Sequence, residues 1–237
     1  MDKILVTGGS GLVGKHLQEV LPNAVYLSSK DCDLTDISKV KWLISSQNPD
    51  IVVHLAARVG GIQDNIKYPA DYFDDNILIN TNIVKVCKEY NVKRFIGILS
   101  TCIYPSVVEN YPMKEEDLFI GPPPPSNFSY GYAKRCLAVQ IDAYNKQFGT
   151  KYNYLIPCNL YGDYDNMHDE SKMHFITALL NKIRNSKDKA LHLLGTGKPL
   201  RQFMYAGDLA DIIKLVIDND ITESFNVAPD FNYSIDD

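Results

Sequence analysis

The chain has 237 residues, of which 45% are hydrophobic and 22% are charged, so it is long enough to bury a sizeable core. Its formal net charge is −5 and it has no long run of Lys or Arg, which disfavours a nucleic-acid partner. No stretch approaches the roughly eighteen consecutive apolar residues that a membrane-spanning helix needs, and this disfavours a membrane protein.

The five cysteines are widely spaced and form neither a CxxC pair nor a cluster with histidine at metal-ligand spacing. We therefore expect free thiols, no metal site and a reducing compartment. The first residues, MDKILVTGG, contain neither the basic segment nor the long apolar segment of a signal peptide. Together these features predict a cytoplasmic protein.

Short apolar runs alternate with segments of helical period along most of the chain. The apolar runs are continuous, which is typical of strands buried on both faces of a parallel sheet. The alternation predicts an α/β fold, a Rossmann-type doubly wound parallel sheet with helices on both faces. The predicted pairs of strand and helix are KILVTG with 11–21, AVYLSS with 36–47, DIVVHLA with 69–90, RFIGILS with 128–148, and YNYLIP with 172–185.

The pattern becomes less regular after about residue 160, with a short predicted strand at LHLLG and a helix from about Asp208. We expect residues 1–162 to form a nucleotide-binding domain. Residues 163–237 should mostly form a smaller substrate lobe, with segments that return to the first domain. The last residues, SFNVAPDFNYSIDD, look like a turn that opens into another helix, so we expect this lobe to be truncated.

A glycine-rich loop, VTGGSGLVG, follows the first predicted strand and opens the first helix. The GxxGxxG spacing permits a tight turn, and it lets a pyrophosphate approach a helix N-terminus that favours negative charge. A purely structural turn is the alternative, which the position between strand and helix disfavours. The loop is therefore predicted to bind a dinucleotide through Gly8, Gly9, Ser10, Gly11, Leu12, Val13 and Gly14.

The tip of the second predicted strand indicates which dinucleotide binds. A protein that reads NAD usually has an acidic residue there, which holds the ribose 2′-hydroxyl. This chain has Ser28, Ser29 and Lys30, and two hydroxyls with an ammonium suit the 2′-phosphate of NADP(H). NAD remains an alternative because Asp31 and Asp33 lie close by.

The third predicted strand ends in HLAARVGG, whose small residues leave room for a cofactor. We expect Leu55, Ala56 and Ala57 to contact it. His54 is interpreted as a buried histidine at the strand end rather than as a catalyst.

A serine, a tyrosine and a lysine are candidates for carbonyl chemistry. Ser100 follows the fourth predicted strand, where ligands of open α/β sheets bind. Tyr130 and Lys134 are four residues apart on a predicted helix, so they share one face. We expect the ammonium to lower the pKa of the phenol, which then exchanges a proton with a carbonyl oxygen while hydride moves at carbon. The alternative is an ordinary solvated helix face.

Five motifs, in this order and spacing, resemble the extended short-chain dehydrogenase/reductases: TGGSGLVG, HLAA, STCIYP, YGYAK and PCNLYG. The resemblance runs from residue 4 to about 228. NIKYPADYF, STCIYP and RQF are typical of the branch that epimerises and reduces GDP-4-keto-6-deoxymannose. The resemblance implies a Rossmann domain that holds NADP(H), a small substrate lobe and a homodimer. It also implies cofactor contacts from Leu99, Pro157, Asn159 and Leu160.

The same resemblance assigns catalytic roles, with Ser100, Tyr130 and Lys134 as the reductase triad, and Cys102 and His174 as the epimerisation acid/base pair. Protons on C3 and C5 of a 4-ketosugar are acidic because the carbanion delocalises onto the C4 oxygen. Donors that hold this oxygen therefore serve both reactions. If the strand continues, Cys102 projects to the same side as Ser100.

Non-catalytic, structural roles remain the alternative for two of these residues. Cys102 could be a small buried hydrophobe, as most free cysteines are. His174 could be a surface residue that caps a helix, and His168 is a second histidine in the same segment.

Three further positions match substrate-binding residues of the branch. Arg201 matches a phosphate-binding arginine, and a guanidinium offers a bidentate fork for that task. Lys182 stands where the branch more usually has arginine. Asn166 matches the asparagine of a PHDN motif that reads DYDN in this chain. Ordinary surface positions are the alternative for all three.

The resemblance therefore predicts NADPH-dependent 3,5-epimerisation and 4-keto reduction of GDP-4-keto-6-deoxymannose to GDP-L-fucose. One alternative is the same chemistry on a UDP- or dTDP-linked 4-keto-6-deoxyglucose derivative, which gives a rhamnose-type sugar. Another alternative is a truncated, non-catalytic NADP-binding protein.

Overall fold

The computed structural model describes residues 2–108, 111–167, 173–186, 193 and 195–236. Its strands are β1 (Ile4–Thr7), β2 (Val25–Leu27), β3 (Ile51–His54), β4 (Arg94–Ile98), β5 (Lys151–Pro157), β6 (Asn159–Tyr161), β7 (Leu200–Arg201), β8 (Phe203–Tyr205), β9 (Phe225–Val227) and β10 (Tyr233–Ser234). Its α-helices are α1 (Leu12–Val20), α2 (Ile37–Gln47), α3 (Ile62–Lys67), α4 (Pro69–Glu89), α5 (Phe128–Phe148), α6 (Phe175–Asn185) and α7 (Ala206–Asp218). Short 3-10 helices span Thr101–Ile103, Glu115–Phe119 and Pro125–Asn127.

The central sheet has six parallel strands in the order β2-β1-β3-β4-β5-β9. The chain winds outward from β1 in both directions, so the strand order reverses between β1 and β3. Ligands of doubly wound sheets bind at such a switch point, beyond the carboxyl ends of the strands. The predicted fold class is confirmed.

Alternation along the strands builds a core on each face of the sheet. Leu5 and Val52 are buried in a cluster that contains apolar residues of α2, α4 and α5. Their neighbours Val6 and Val53 are buried in the opposite cluster, with residues of α1 and α7. Burial on both faces explains why the strands read as continuous apolar runs.

The helix ends follow local signals in the sequence. The Asp36 side chain accepts a hydrogen bond from the Ser38 N–H at 2.8 Å and caps α2. Gly149, at φ +66°, ends α5 in the left-handed conformation that glycine adopts without strain. The observed α5 matches the predicted helix 128–148, whereas α6 begins at Phe175, three residues later than predicted.

The chain after β5 forms two small additional sheets. β6 pairs with β8 in parallel, and β7 pairs with β10 in the antiparallel direction. The later elements β9 and α7 pack on the central sheet. The division at residue 162 stays a prediction, and residues 191, 192 and 194 of the predicted strand LHLLG lie outside the described residues. Across the described ranges, no helix is long and apolar enough to cross a membrane.

Candidate active site

A cleft of about 2510 Å³ lies along the carboxyl ends of the central strands. It is lined by the glycine-rich loop, by the loops that follow β3, β4 and β5, and by the first turns of α5 and α6. All the predicted site residues line this cleft except Gly9 and Lys30. The structure therefore brings the candidate cofactor residues and the candidate catalytic residues into one cavity.

The glycine-rich loop has the geometry that a pyrophosphate site requires. Gly8 has a φ of +74°, and a Cβ on it would lie 2.8 Å from the Ala56 nitrogen. A Cβ on Gly14 would lie 2.6 Å from the Gly8 oxygen. Gly11 precedes α1 without a side-chain cap, so the first N–H groups of the helix stay available to an anion. These residues fit a dinucleotide.

Gly9 differs from its neighbours because it turns away from the cleft. Its N–H donates to the Leu27 oxygen at 2.7 Å, and a Cβ on it would meet the Tyr26 side chain. Gly9 thus joins the loop to β2, and the expectation that it contacts the cofactor is not supported by its position.

The tip of β2 offers two hydroxyls and a carboxylate instead of the expected ammonium. Ser28 and Ser29 line the cleft, whereas Lys30 is exposed and lies outside the cleft lining. The Ser28 hydroxyl donates to Asp31 Oδ2 at 2.6 Å, and the Ser28 N–H donates to the same oxygen at 2.7 Å. These hydrogen bonds lower the pKa of Asp31, which is therefore ionised at neutral pH.

His54 is a buried structural residue, in agreement with its interpretation from the sequence. Its Nδ1 lies 2.8 Å from Thr7 Oγ1 and its Nε2 lies 3.1 Å from Asn80 Oδ1. Burial and the nearby Lys134 charge lower the pKa of His54 to about 3. The neutral ring therefore links β1, β3 and α4 beneath the cleft.

Ser100 and Cys102 lie on a turn rather than on a continued strand. β4 ends at Ile98, and Thr101–Ile103 forms a 3-10 helix. The Cys102 N–H donates to Ser100 Oγ at 3.4 Å, which starts this turn. The strand therefore does not continue through Cys102, which was the condition for placing Cys102 on the same side as Ser100, although both side chains line the cleft.

Helix α5 packs directly against this turn. A Cβ on Gly131 would lie 2.8 Å from the Cys102 carbonyl oxygen, so only glycine permits this close approach. The Arg135 guanidinium, which is buried, donates from Nε to the Ile103 oxygen at 3.0 Å. These contacts fix the first turn of α5, including Tyr130, beside Cys102.

The structure contradicts the expected electrostatic effect of Lys134 on Tyr130. Lys134 is 2% exposed, and its Nζ donates to the Ile98 oxygen at 2.8 Å. Burial lowers the pKa of Lys134 to about 8. Burial also raises the pKa of Tyr130, and the neighbouring Cys102 adds to this shift. The phenol is therefore protonated at neutral pH and is suited to donate to a carbonyl oxygen.

His174 immediately precedes α6 and lines the cleft. Its Nδ1 lies 2.8 Å from Oδ1 of Asp165, a buried carboxylate that the sequence analysis gave no role. Its neighbour Asn166 was identified by matching the DYDN sequence to a known motif. Asp165 stands nine residues before His174, and no fixed spacing in the sequence links them. The other histidine of this segment, His168, lies outside the described residues.

The three predicted substrate residues come from the later part of the chain. Asn166 follows Asp165, Lys182 is in the last turn of α6, and Arg201 ends β7. All three line the cleft, and Arg201 is exposed. Two cations, Lys182 and Arg201, therefore line the cavity, and side chains of this charge bind phosphates.

Comparison with known proteins identifies the family. The sequence model of the NAD dependent epimerase/dehydratase family matches residues 4–228. The chain belongs to this family. The match confirms the likeness inferred from the five motifs, and it covers both the cofactor loop and the catalytic residues proposed above.

Individual members of the family are also similar to this chain. GDP-L-fucose synthase from Dictyostelium discoideum is 42% identical over 227 residues, which cover 91% of this chain and 70% of that protein. GDP-L-colitose synthase from Yersinia pseudotuberculosis is 31% identical over 243 residues, which cover 98% of this chain and 78% of that protein. The crystal structure of a GDP-L-fucose synthetase from Naegleria fowleri bound to NADP has a TM-score of 0.85 and 35% identity, and the match covers 96% of this chain and 77% of that one.

Proposed function

We propose that this member of the family converts GDP-4-keto-6-deoxymannose to GDP-L-fucose, by epimerising C3 and C5 and reducing the C4 ketone with NADPH. The observation that carries the proposal is that Ser100, Cys102, Tyr130 and His174 line one cleft with the glycine-rich loop. The names of the two relatives, both synthases of GDP-linked sugars, support this substrate class.

The cofactor side of the cleft suits NADP(H). Gly8 and Gly14 leave the loop backbone open to a pyrophosphate, and Ser29 offers a hydroxyl donor to a 2′-phosphate, as Ser28 does once its hydroxyl leaves Asp31. When bound there, NADPH supplies the hydride for C4. The NADP-bound Naegleria neighbour supports this choice. NAD is the alternative, because the Asp31 carboxylate stands beside Ser28.

The reductase half of the reaction needs donors at the ketone oxygen. Tyr130, whose pKa is raised by burial, holds its proton and donates it from Oη to the C4 oxygen as negative charge develops there. Ser100 Oγ is the second donor to this oxygen. Lys134 keeps a positive charge buried beside the strand end that carries Ser100, which favours the developing alkoxide.

The epimerase half of the reaction needs a base and an acid on opposite faces of the sugar. Cys102 Sγ removes the proton from C3 or C5 as a thiolate, and the donors at the C4 oxygen stabilise the enolate that forms. His174 then returns a proton to the opposite face of the same carbon. The exposed cations Arg201 and Lys182 bind the diphosphate.

Cys102→Ser separates the two halves. We expect deuterium exchange at C3 and C5 to fall about 100-fold, because the hydroxyl is a far weaker base, while reduction of the ketosugar persists. Cys136→Ser is the matched control, since Cys136 is exposed and lies outside the cleft. Undiminished exchange in Cys102→Ser would remove Cys102 from the mechanism.

The nucleotide is tested by turnover of GDP-, UDP- and dTDP-linked 4-keto-6-deoxyhexoses, followed by NADPH absorbance. We expect the GDP-sugar to have the highest kcat/KM. A preference for a UDP- or dTDP-sugar would favour the rhamnose-type alternative, and NADPH binding without turnover of any of them would favour a non-catalytic protein. The GDP-L-colitose synthase relative makes a 3,6-dideoxy analogue a useful fourth substrate.

A homodimer is proposed as the assembly. Helices α4 and α5 pack against each other, and both carry exposed apolar side chains: Phe73 and Leu78 on α4, and Phe128 and Val139 on α5. We expect the partner subunit to pack on these two helices and cover these side chains. Light scattering should give twice the chain mass of 26.7 kDa, and a monomer at micromolar concentration would contradict the proposal.

The cytoplasm is the proposed compartment. All five cysteines are unpaired, which fits an environment that keeps thiols reduced. Fractionation of cells that express the tagged chain would test the proposal.

A further inference from the structure

We propose that Asp165 is a positioning residue for His174, and that its carboxylate orients the imidazole so that Nε2 transfers the proton. The inference rests on the proposed function, in which His174 returns a proton to the sugar carbon. Asp165 acts through His174, because both of its oxygens are already engaged by groups of the protein.

The carboxylate of Asp165 is held by three donors. Oδ1 lies 2.8 Å from His174 Nδ1 and accepts a hydrogen bond from the Asn166 N–H at 2.9 Å. Oδ2 accepts a hydrogen bond from the Thr177 hydroxyl. The Asp165 side chain is only 3% exposed, whereas the His174 side chain is 39% exposed. A fixed, buried acceptor therefore holds a ring that opens onto the cleft.

The contact between Asp165 Oδ1 and His174 Nδ1 determines which nitrogen of the imidazole transfers the proton. An ionised carboxylate only accepts hydrogen bonds, so Nδ1 of His174 must carry a hydrogen. Nε2 is then the atom that gains and loses the proton, and among the described residues it has no hydrogen-bond partner. A carboxylate at Nδ1 also stabilises the imidazolium that exists before the proton is delivered.

Hydrogen bonds and the start of α6 keep the Asp165 carboxylate ionised. Burial by itself raises the pKa of Asp165, but hydrogen bonds from His174 and Thr177 outweigh it, and the pKa lies below its usual range. His174 immediately precedes α6 and Thr177 lies in its first turn, so the carboxylate also stands at the helix N-terminus, where negative charge is favoured. The negative charge that orients His174 is therefore present at neutral pH.

A purely structural role is the competing explanation, since the same contacts tie the start of α6 to the segment before it. The two roles differ in which reaction they affect. Loss of orientation at His174 impairs inversion at C3 and C5 and leaves hydride transfer at C4 intact. A loosened α6 impairs both, because the cleft wall itself moves.

The test compares Asp165→Asn with the wild-type chain and with Asp163→Asn. Asparagine keeps the size of the side chain and removes its charge. Asp163 is the matched control, because it carries the same charge two residues earlier, bonds the Tyr205 hydroxyl at 2.8 Å and lies outside the cleft lining. Inversion is read in D2O by NMR of C3 and C5, and hydride transfer by single-turnover oxidation of GDP-L-fucose with NADP+.

We expect Asp165→Asn to slow inversion roughly 10- to 100-fold, with hydride transfer within about twofold of wild type. Asp163→Asn should leave both within about twofold. Normal inversion in Asp165→Asn, or equal losses of inversion and hydride transfer, would overturn the inference while the proposed function stands. A wild-type chain that neither inverts nor transfers hydride would overturn the proposed function and this inference with it.

Discussion

The two sides of the cleft are built in different ways. The reductase residues Ser100, Tyr130 and Lys134 follow a fully buried strand or lie on a helix packed tightly against it. His174 and Lys182 belong to the start and the last turn of α6, which has one buried residue, and Arg201 ends the two-residue strand β7. The His174 ring is held by its hydrogen bond to Asp165. The core thus fixes the residues proposed to act in hydride transfer. Smaller elements late in the chain carry the proposed acid, His174, and the cations proposed to bind the diphosphate, Lys182 and Arg201. Substitutions on the two sides should therefore change different kinetic constants.

Tyr130→Phe should have the largest effect. Removing the phenolic proton leaves the C4 oxygen without its acid, so kcat for NADPH oxidation should fall about 1000-fold. The NADPH dissociation constant should stay within a few-fold. Stopped-flow absorbance of NADPH measures the first quantity and fluorescence titration the second.

Tyr132→Phe is the control for this prediction. Tyr132 lies two residues later, packs its ring against Phe128 at 4.7 Å between centroids, and does not line the cleft. It should retain full activity. A Tyr130→Phe variant within tenfold of wild type would show that the core side does not carry the acid.

Lys134→Met should increase the stability of the folded chain and abolish its activity. Burial lowers the pKa of Lys134 from 10.5 to about 8, so at pH 7 the folded state holds a poorly solvated charge. Methionine removes this cost but also removes the donor to the Ile98 oxygen, so the net free energy of unfolding at pH 7 should rise by about 2 kcal/mol. Hydride transfer should be lost, because the buried positive charge is gone.

The pH dependence gives the control. Between pH 8 and 10.5 the unfolded chain binds a proton at Lys134 that the folded chain does not, so this group makes unfolding free energy rise with pH there. The advantage of Lys134→Met should therefore shrink across that window. Urea melts at pH 7 and pH 10 measure it, and a variant less stable than wild type at pH 7 would contradict the burial argument.

Arg201→Lys probes the locally built side. Lysine keeps the charge and loses the bidentate fork, so KM for the GDP-sugar should rise about tenfold while kcat stays within about twofold. Arg184→Lys, on the exposed part of α6 and outside the cleft lining, is the matched control. A fall in kcat without a change in KM would break the proposed division between the two sides.

Features of the site with a local cause could be predicted from the sequence. The positions of Gly8 and Gly14 follow from a strand, a turn and a helix in succession, and the shared face of Tyr130 and Lys134 follows from helical period. Ser100 could be placed because it lies two residues after a strand that is buried on both faces. These residues line the cleft as expected.

Features that depend on distant partners could not be predicted. Lys134 bonds the carbonyl of Ile98, 36 residues earlier, and burial by non-local chain segments raises the pKa of Tyr130. The 3-10 turn that contains Cys102 is held by Arg135 of α5, which donates to the oxygen of Ile103, 32 residues earlier. Asp165 contacts His174 across nine residues of chain, and no fixed spacing in the sequence indicates the pair.

The exposed tip of β2 gives the smallest predicted effect, because its charged side chains lie at the surface. Asp31 is fully exposed and ionised, and its carboxylate binds the Ser28 hydroxyl that we expect a 2′-phosphate to use. Asp31→Asn removes a negative charge that opposes this phosphate. We expect the preference for NADPH over NADH to rise roughly threefold at low ionic strength, and the gain to fade near 0.5 M salt because exposed charges are screened. NADH affinity is the internal control, since NADH lacks the phosphate. If titrations at low salt show an unchanged preference, Ser28 and Asp31 do not select the cofactor, and the backbone of the glycine-rich loop binds both dinucleotides alike.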